Sequence, residues 1–183
     1  MHIDSATGLL RDARQVLCTH WDARPAGVGP ELIVVHGISL PPGEYGGPWI
    51  EQFFGGRLDP AAHPYFAAIA GQRVSAHVLI RRDGQAVQFV PFGQRAWHAG
   101  VSSWRGRSAC NDFSVGIELE GTDDQPYETS QYAALAELVR ALCETYPGLT
   151  RDQVVGHSDI APGRKTDPGE SFDWPRLRHL LQD

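Results

Sequence analysis

ELIVVHG, residues 31–37, is a continuous apolar run that ends on a histidine. A strand with one wet face alternates apolar and polar residues, whereas a strand covered on both faces reads as an unbroken Val/Ile/Leu run. Leu32 to Val35 is such a run, and it predicts a strand at the centre of a sheet covered by helices. Outward from it, VSAHVLIRRDGQAVQFV (74–90) reads as two strands about Asp83-Gly84, a dipeptide that favours a tight hairpin. FSVGIELEG (113–121) alternates, with Phe113, Val115, Ile117 and Leu119 on one face and Ser114, Gly116, Glu118 and Glu120 on the other. That pattern predicts a strand that buries one side and presents two carboxylates on a polar one. TSQYAALAELVRALCETYPG (129–148) sets Tyr132, Leu135, Val139, Leu142 and Tyr146 on one helical stripe, with Cys143 on the apolar face, and stops at Pro147-Gly148. SFDWPRLRHLL (171–181) predicts a shorter helix capped by Asp173 with Pro175 in its first turn. PWIEQFFGG (48–56) and HPYFAAIAGQ (63–72) read as short helices inside a long connection. Strands interleaved with helices give an α/β fold with a central mixed β-sheet flanked by helices.

The 183 residues, 42% hydrophobic and 21% charged, fit one soluble domain over 1–183 with a core of its own. A net charge of −6 points away from nucleic acid and anionic surfaces as partners. The opening MHIDSATGLLRDARQVL carries Asp4 and Asp12 and has neither the basic segment nor the apolar run of a signal peptide. Leu32 to Val35, the longest aliphatic run, is far short of the roughly 18 residues that a membrane span needs. A cytoplasmic protein without a membrane partner is expected. Cys18, Cys110 and Cys143 are odd in number and widely spaced, as reduced thiols are.

VGHSDIAPGRKTDPG (155–169) packs His157, Arg164, Lys165 and Asp167 between Gly156, Pro162, Gly163, Pro168 and Gly169, which predicts a rigid, irregular loop after Val155. Such a loop either holds charged groups in fixed positions for chemistry or is merely solvated. Of the eight histidines, His2, His20, His63 and His179 read as surface or hydrogen-bonded residues. His36 instead terminates a buried strand, where α/β sheets present functional side chains, and His157 ends a Val-Val-Gly strand signal. With Asp167 they make two imidazoles and a carboxylate, a three-ligand set for catalytic zinc that leaves a fourth position open. There is no His-Glu-x-x-His, so spacing alone does not single that set out.

VVHGISLPPGEYGGPW (34–49), HPYFAAIAGQRVSAHVLIRRDGQAVQFVPFGQRAWHAGVSSWRGRSACNDFSVGIELEGTD (63–123) and GHSDIAPGRKTDPGESFDW (156–174) together resemble the type 2 N-acetylmuramoyl-L-alanine amidases. RAWHAGVS, CNDFSVGIELEGTD and RKTDPG in this order are most similar to the cytoplasmic AmpD type, which acts on 1,6-anhydro-N-acetylmuramyl-L-alanine compounds in cell-wall recycling. The resemblance implies a peptidoglycan-recognition-protein-like amidase fold, one zinc amidase domain, and Zn²⁺ held by His36, His157 and Asp167. It implies Glu118 as the base that takes a proton from the attacking water and passes it to the leaving amine, with Glu120 as the alternative. Lys165 would stabilise the charge that builds on the carbonyl oxygen. Trp97 would stack on the sugar, and Tyr65, Arg73 and Arg164 would meet the peptide stem and its carboxylates. His77 and His98 lie in matching motifs as hydrogen-bonded residues, not ligands. The implied partner is a small soluble muropeptide, with no obligatory protein partner.

Two positions depart from that pattern. Gly37 stands where the type commonly has asparagine after the histidine, and Gly163 where it commonly has glutamate. Neither departure removes a ligand or catalytic group. Three other readings stay open: a wall-lytic amidase or phage endolysin with the same metal site, a noncatalytic peptidoglycan-recognition module with the same fold, and a cysteine hydrolase using Cys110 with His98. The endolysin reading lacks a wall-binding module, and ACND gives the thiol no activating context.

Overall fold

A computed structural model describes residues 1–16 and 18–182. The central sheet has six strands: β1 (Arg14–Gln15), β2 (Leu32–Ile38), β3 (Val78–Ile80), β4 (Ala86–Gln88), β5 (Ser114–Glu120) and β6 (Val154–Gly156). Their order is β6-β2-β5-β3-β4-β1. β2 and β5 run parallel in register from Leu32–Ser114 to Ile38–Glu120, and β6 and β3 extend the parallel core on either side. β3 and β4 form the expected antiparallel hairpin, turned at Gly84 with φ +88° and steadied by Gln85 N–H donating to Asp83 Oδ1 at 2.9 Å. The sheet is therefore mixed, as the pattern predicts.

The helices are α1 (Trp49–Phe54), α2 (Phe66–Ile69), α3 (Thr129–Thr145), α4 (His157–Ile160) and α5 (Trp174–Leu180). α3 begins at a reciprocal cap, in which Glu128 N–H donates to Gln131 Oε1 at 3.0 Å. Its stripe of Tyr132, Leu135, Val139 and Leu142 packs on Ile33 and Val35 of β2 and Val115, Ile117 and Leu119 of β5. α5 starts as predicted, with Asp173 Oδ1 accepting from Arg176 N–H at 2.9 Å. Among the described residues no helix is long and apolar enough to cross a membrane.

Two sequence expectations need correction. β5 is buried on both faces along its whole length, Glu118 and Glu120 included, because loops from distant parts of the chain cover its polar side. The stretch after Val155 first makes one helical turn, α4, before it becomes irregular. No proline lies within 157–160, and Asp159 Oδ2 accepts from Gly156 N–H at 2.7 Å, so the turn can close.

Arg24 ties the second face of the sheet together. Its buried guanidinium donates to the carbonyls of Asn111, Asp112, Phe92 and Ser114 at 2.8–3.1 Å and lies 3.2 Å from His77 Nε2. Arg24→Met keeps much of the stem's volume but orphans several buried acceptors, and is expected to cost about 3 kcal/mol or more in urea unfolding. A loss of less than about 1 kcal/mol would show that these contacts are not stabilising.

Candidate active site

β6, β2 and β5 are neighbours, and their register sets three functional side chains at one level of the sheet. Gly156 pairs with Val35, which brings His157 beside His36, and His36 pairs with Glu118. All three occur at the carboxyl end of parallel strands, where such sheets place their sites. Asp167 arrives from the loop after α4, whose position is fixed by Ser158 N–H donating to Asp167 O at 3.0 Å and by Tyr127 Oη–H donating to Pro168 O at 2.9 Å.

The side chains converge tightly. His36 Nδ1 lies 3.0 Å from His157 Nδ1 and 3.1 Å from Asp167 Oδ2, and His157 Nδ1 lies 3.0 Å from the same oxygen. On its far side His157 Nε2 faces the Ala99 carbonyl at 3.2 Å, a contact that calls for N–H at Nε2 and leaves the Nδ1 lone pair turned inward. Burial lowers the His36 imidazole to about 4 against the opposing pull of Asp167, so it is neutral at pH 7, as a ligand must be. Burial opposes ionisation of Asp167, but the two imidazoles against its carboxylate outweigh it and hold the group well below the usual range. Two imidazole nitrogens and one carboxylate oxygen at this spacing fit a catalytic zinc ion, with a coordination position left for a reacting oxygen.

Glu118 borders the cluster with Oε2 buried and without a hydrogen-bond partner. Burial raises its carboxyl well above the ordinary value, the charge of Asp167 adds to this, and Lys165 opposes it. A cavity of about 370 Å³ opens over the group, with His36, His157, Asp167, Glu118 and Lys165 on its polar side and Phe54 among its apolar residues. A larger cleft of about 650 Å³ lies nearby, lined by Arg14, Tyr45, Arg81 and Glu120, and it touches none of the cluster. Glu120 is spoken for there: Arg81 and the Gly46 N–H both donate to Oε1 at 2.8 Å. Glu118 is thus the carboxylate poised to meet a proton.

The raised carboxyl of Glu118 has a consequence for stability. A carboxyl whose folded pKa exceeds its unfolded value favours folding below the unfolded value and loses that contribution as pH rises through the folded one. Glu118→Gln is therefore expected to raise the Tm of metal-free protein at pH 8 and to leave it unchanged near pH 4. Equal Tm values at pH 8 would show that the carboxylate carries no burial penalty.

A family profile described as N-acetylmuramoyl-L-alanine amidase matches residues 25–170. The chain belongs to this amidase family. The amidase is 60% identical over 174 residues to the 1,6-anhydro-N-acetylmuramyl-L-alanine amidase AmpD of Salmonella typhimurium, covering 95% of this chain and 92% of the relative. It superposes on a crystal structure of a Se-Met AmpD derivative with a TM-score of 0.95, at 59% identity over 99% of both chains. AmpDH3 from Pseudomonas aeruginosa, solved in complex with anhydromuramic pentapeptide, matches at a TM-score of 0.62 and 32% identity, over 85% of this chain and 62% of that one. The fold is the amidase fold that the motifs imply.

The remaining residues named from the sequence fall in different places in the amidase. Tyr65 lines the cavity and is 42% exposed. Trp97 and Arg73 do not line it. The Trp97 indole donates to Asp22 Oδ1 at 3.0 Å, lies nearly parallel to His20 at 6.2 Å, and has the Arg73 guanidinium 5.5 Å from its centroid. Arg164 clasps a neighbouring loop, donating to the carbonyls of Ala99 at 2.6 Å and Val101 at 2.7 Å. Cys110 is buried, and burial raises its thiol, which removes the activation that a cysteine hydrolase requires.

Both departures from the pattern have local surroundings that suit glycine. A Cβ on Gly37 would come 2.4 Å from the Tyr127 hydroxyl, and Gly163 has φ +76°, a region that side chains disfavour. The sequence places Ser114 and Gly116 on a polar strand face but assigns neither them nor Tyr127 a role in the site. The available signal was Gly116, a glycine in mid-strand, which marks the close approach of another group.

Proposed function

We propose that this amidase is a zinc hydrolase, one domain over residues 1–183, that cleaves the amide between the lactyl group of 1,6-anhydro-N-acetylmuramic acid and the first L-alanine of small muropeptides in the cytoplasm. The observation that carries this reading is the convergence of His36 Nδ1, His157 Nδ1 and Asp167 Oδ2 beside the partnerless Glu118 Oε2. Zinc bound there would polarise the scissile carbonyl and bring the pKa of water down to about 7. The protein's own part follows from position. The His36 imidazole stays neutral, both rings are fixed by the contacts behind them, and Asp167 supplies the negative charge. Glu118, kept basic by burial, accepts the proton of the attacking water and returns it to the departing alanine nitrogen. Lys165, at the cavity wall, stabilises the negative charge that grows on the carbonyl oxygen.

The substrate class is supported by the relatives, one named for the anhydro sugar and another solved with an anhydromuramic pentapeptide. Three free cysteines agree with a reducing compartment. The test is kcat/KM on matched muropeptides that differ only in the anhydro bridge, with products identified by mass. The anhydro substrate is expected to be preferred by about tenfold or more, a margin within reach of pocket shape alone. Equal values would refute selection for the anhydro sugar.

A further inference from the structure

The imidazole behind His36 belongs to a chain of hydrogen bonds whose direction is set at its far end. Ser114 Oγ lies 2.6 Å from the Cys110 carbonyl and 3.0 Å from His98 Nε2, and His98 Nδ1 lies 2.9 Å from His36 Nε2. A carbonyl only accepts, so the Ser114 hydroxyl proton points at Cys110 O, and the Ser114 oxygen must accept from His98 Nε2–H. A neutral imidazole has one N–H, so His98 Nδ1 is an acceptor and His36 Nε2 must donate to it. The lone pair of His36 is thereby left on Nδ1, the atom that faces His157 and Asp167. Reversing the chain would forfeit the hydrogen bond from Ser114 to Cys110.

Other features hold this arrangement in place. The His98 ring lies flush against β5, where a Cβ on Gly116 would come 2.4 Å from its Cγ. Asn111 Oδ1 accepts from both His98 N–H at 3.1 Å and Ala99 N–H at 2.8 Å, so one side chain fixes the imidazole behind His36 and the peptide behind His157.

We propose that Ser114 and His98 are positioning residues that fix the Nε2–H tautomer of His36 and so set how tightly the site holds zinc. This rests on the reading of His36 as a metal ligand. Partners behind a ligating histidine typically contribute 10–100-fold in metal affinity. Zinc Kd is measured by chelator competition for the wild type, Ser114→Ala and Ser114→Thr, and the imidazole nitrogens of the zinc-loaded wild type are assigned by ¹⁵N–¹H NMR. Ser114→Ala is expected to raise Kd by about 10–100-fold, and Ser114→Thr, which keeps the hydroxyl, to stay within about threefold of wild type. In the wild type His98 is expected to be neutral with its proton on Nε2, a readout that needs no variant to fold. A proton on His98 Nδ1, an unchanged Kd in Ser114→Ala, or equal losses in Ala and Thr would overturn the proposal. A wild type that takes up no zinc would overturn the metal reading itself, whereas tight wild-type binding with an indifferent Ala variant overturns the positioning pair alone.

Discussion

Glu118→Ala is expected to lower kcat by about 10²–10⁴ while zinc remains bound, because a general base contributes in that range and Glu118 stands beside the ligand cluster without belonging to it. Register with His36 places its carboxylate at the level of the cluster, and its second oxygen has no hydrogen-bond partner among the described residues. A buried carboxylate oxygen left without a donor costs stability, and a proton taken from substrate water is what it lacks. Glu120 offers the control. Its carboxylate is held by Arg81 and Gly46, so Glu120→Ala is expected to loosen the Tyr45–Pro48 and Arg81–Arg82 region and to cost stability more than kcat. The assignment of the base fails if Glu120→Ala abolishes turnover in folded protein and Glu118→Ala does not.

Asp167→Asn is expected to remove zinc and activity together. The substitution keeps the shape of the side chain and deletes the one negative charge among the three atoms proposed to hold the metal, leaving the two imidazoles without it. Zinc affinity in such sites depends on deprotonated, charged ligands and is measurable directly by elemental analysis after dialysis. Activity is expected to fall to background at ordinary zinc concentrations and to return in part at high zinc. Full zinc retention with full activity would exclude Asp167 as a ligand.

How far the sequence reached is clearest in particular residues. The run Leu32–Val35, the Asp83-Gly84 turn and the stripe from Tyr132 to Leu142 are local patterns that dictate local structure, and each element stands where its pattern puts it. The motif resemblance pointed to His36, His157 and Asp167, and parallel pairing of β2 and β6 explains physically how distant histidines meet. Alternation in β5 assigned Glu118 and Glu120 to one face, yet it could not show that the face is closed. That closure comes from Gly46 and Arg81 over Glu120 and from His98 against Gly116, contacts made across long sequence separations. Trp97 and Arg73 illustrate the same limit: the sequence offers an aromatic and a cation each suited to a ligand, and only the fold shows that the cation lies over the indole and that the indole donates to Asp22. The histidine behind His36 was recognisable as hydrogen-bonded, but its direction depends on Ser114 and the Cys110 carbonyl, which only the folded chain brings to it.

The most direct test of the account is to follow cleavage of an anhydromuramyl tripeptide by one preparation before chelation, after chelation, and after zinc is returned, with metal content measured at each stage. The expected result is about one zinc per chain, loss of cleavage when it is removed, recovery on stoichiometric zinc, and products separated at the lactyl–L-alanine amide. Undiminished cleavage by protein shown to be free of metal would contradict it.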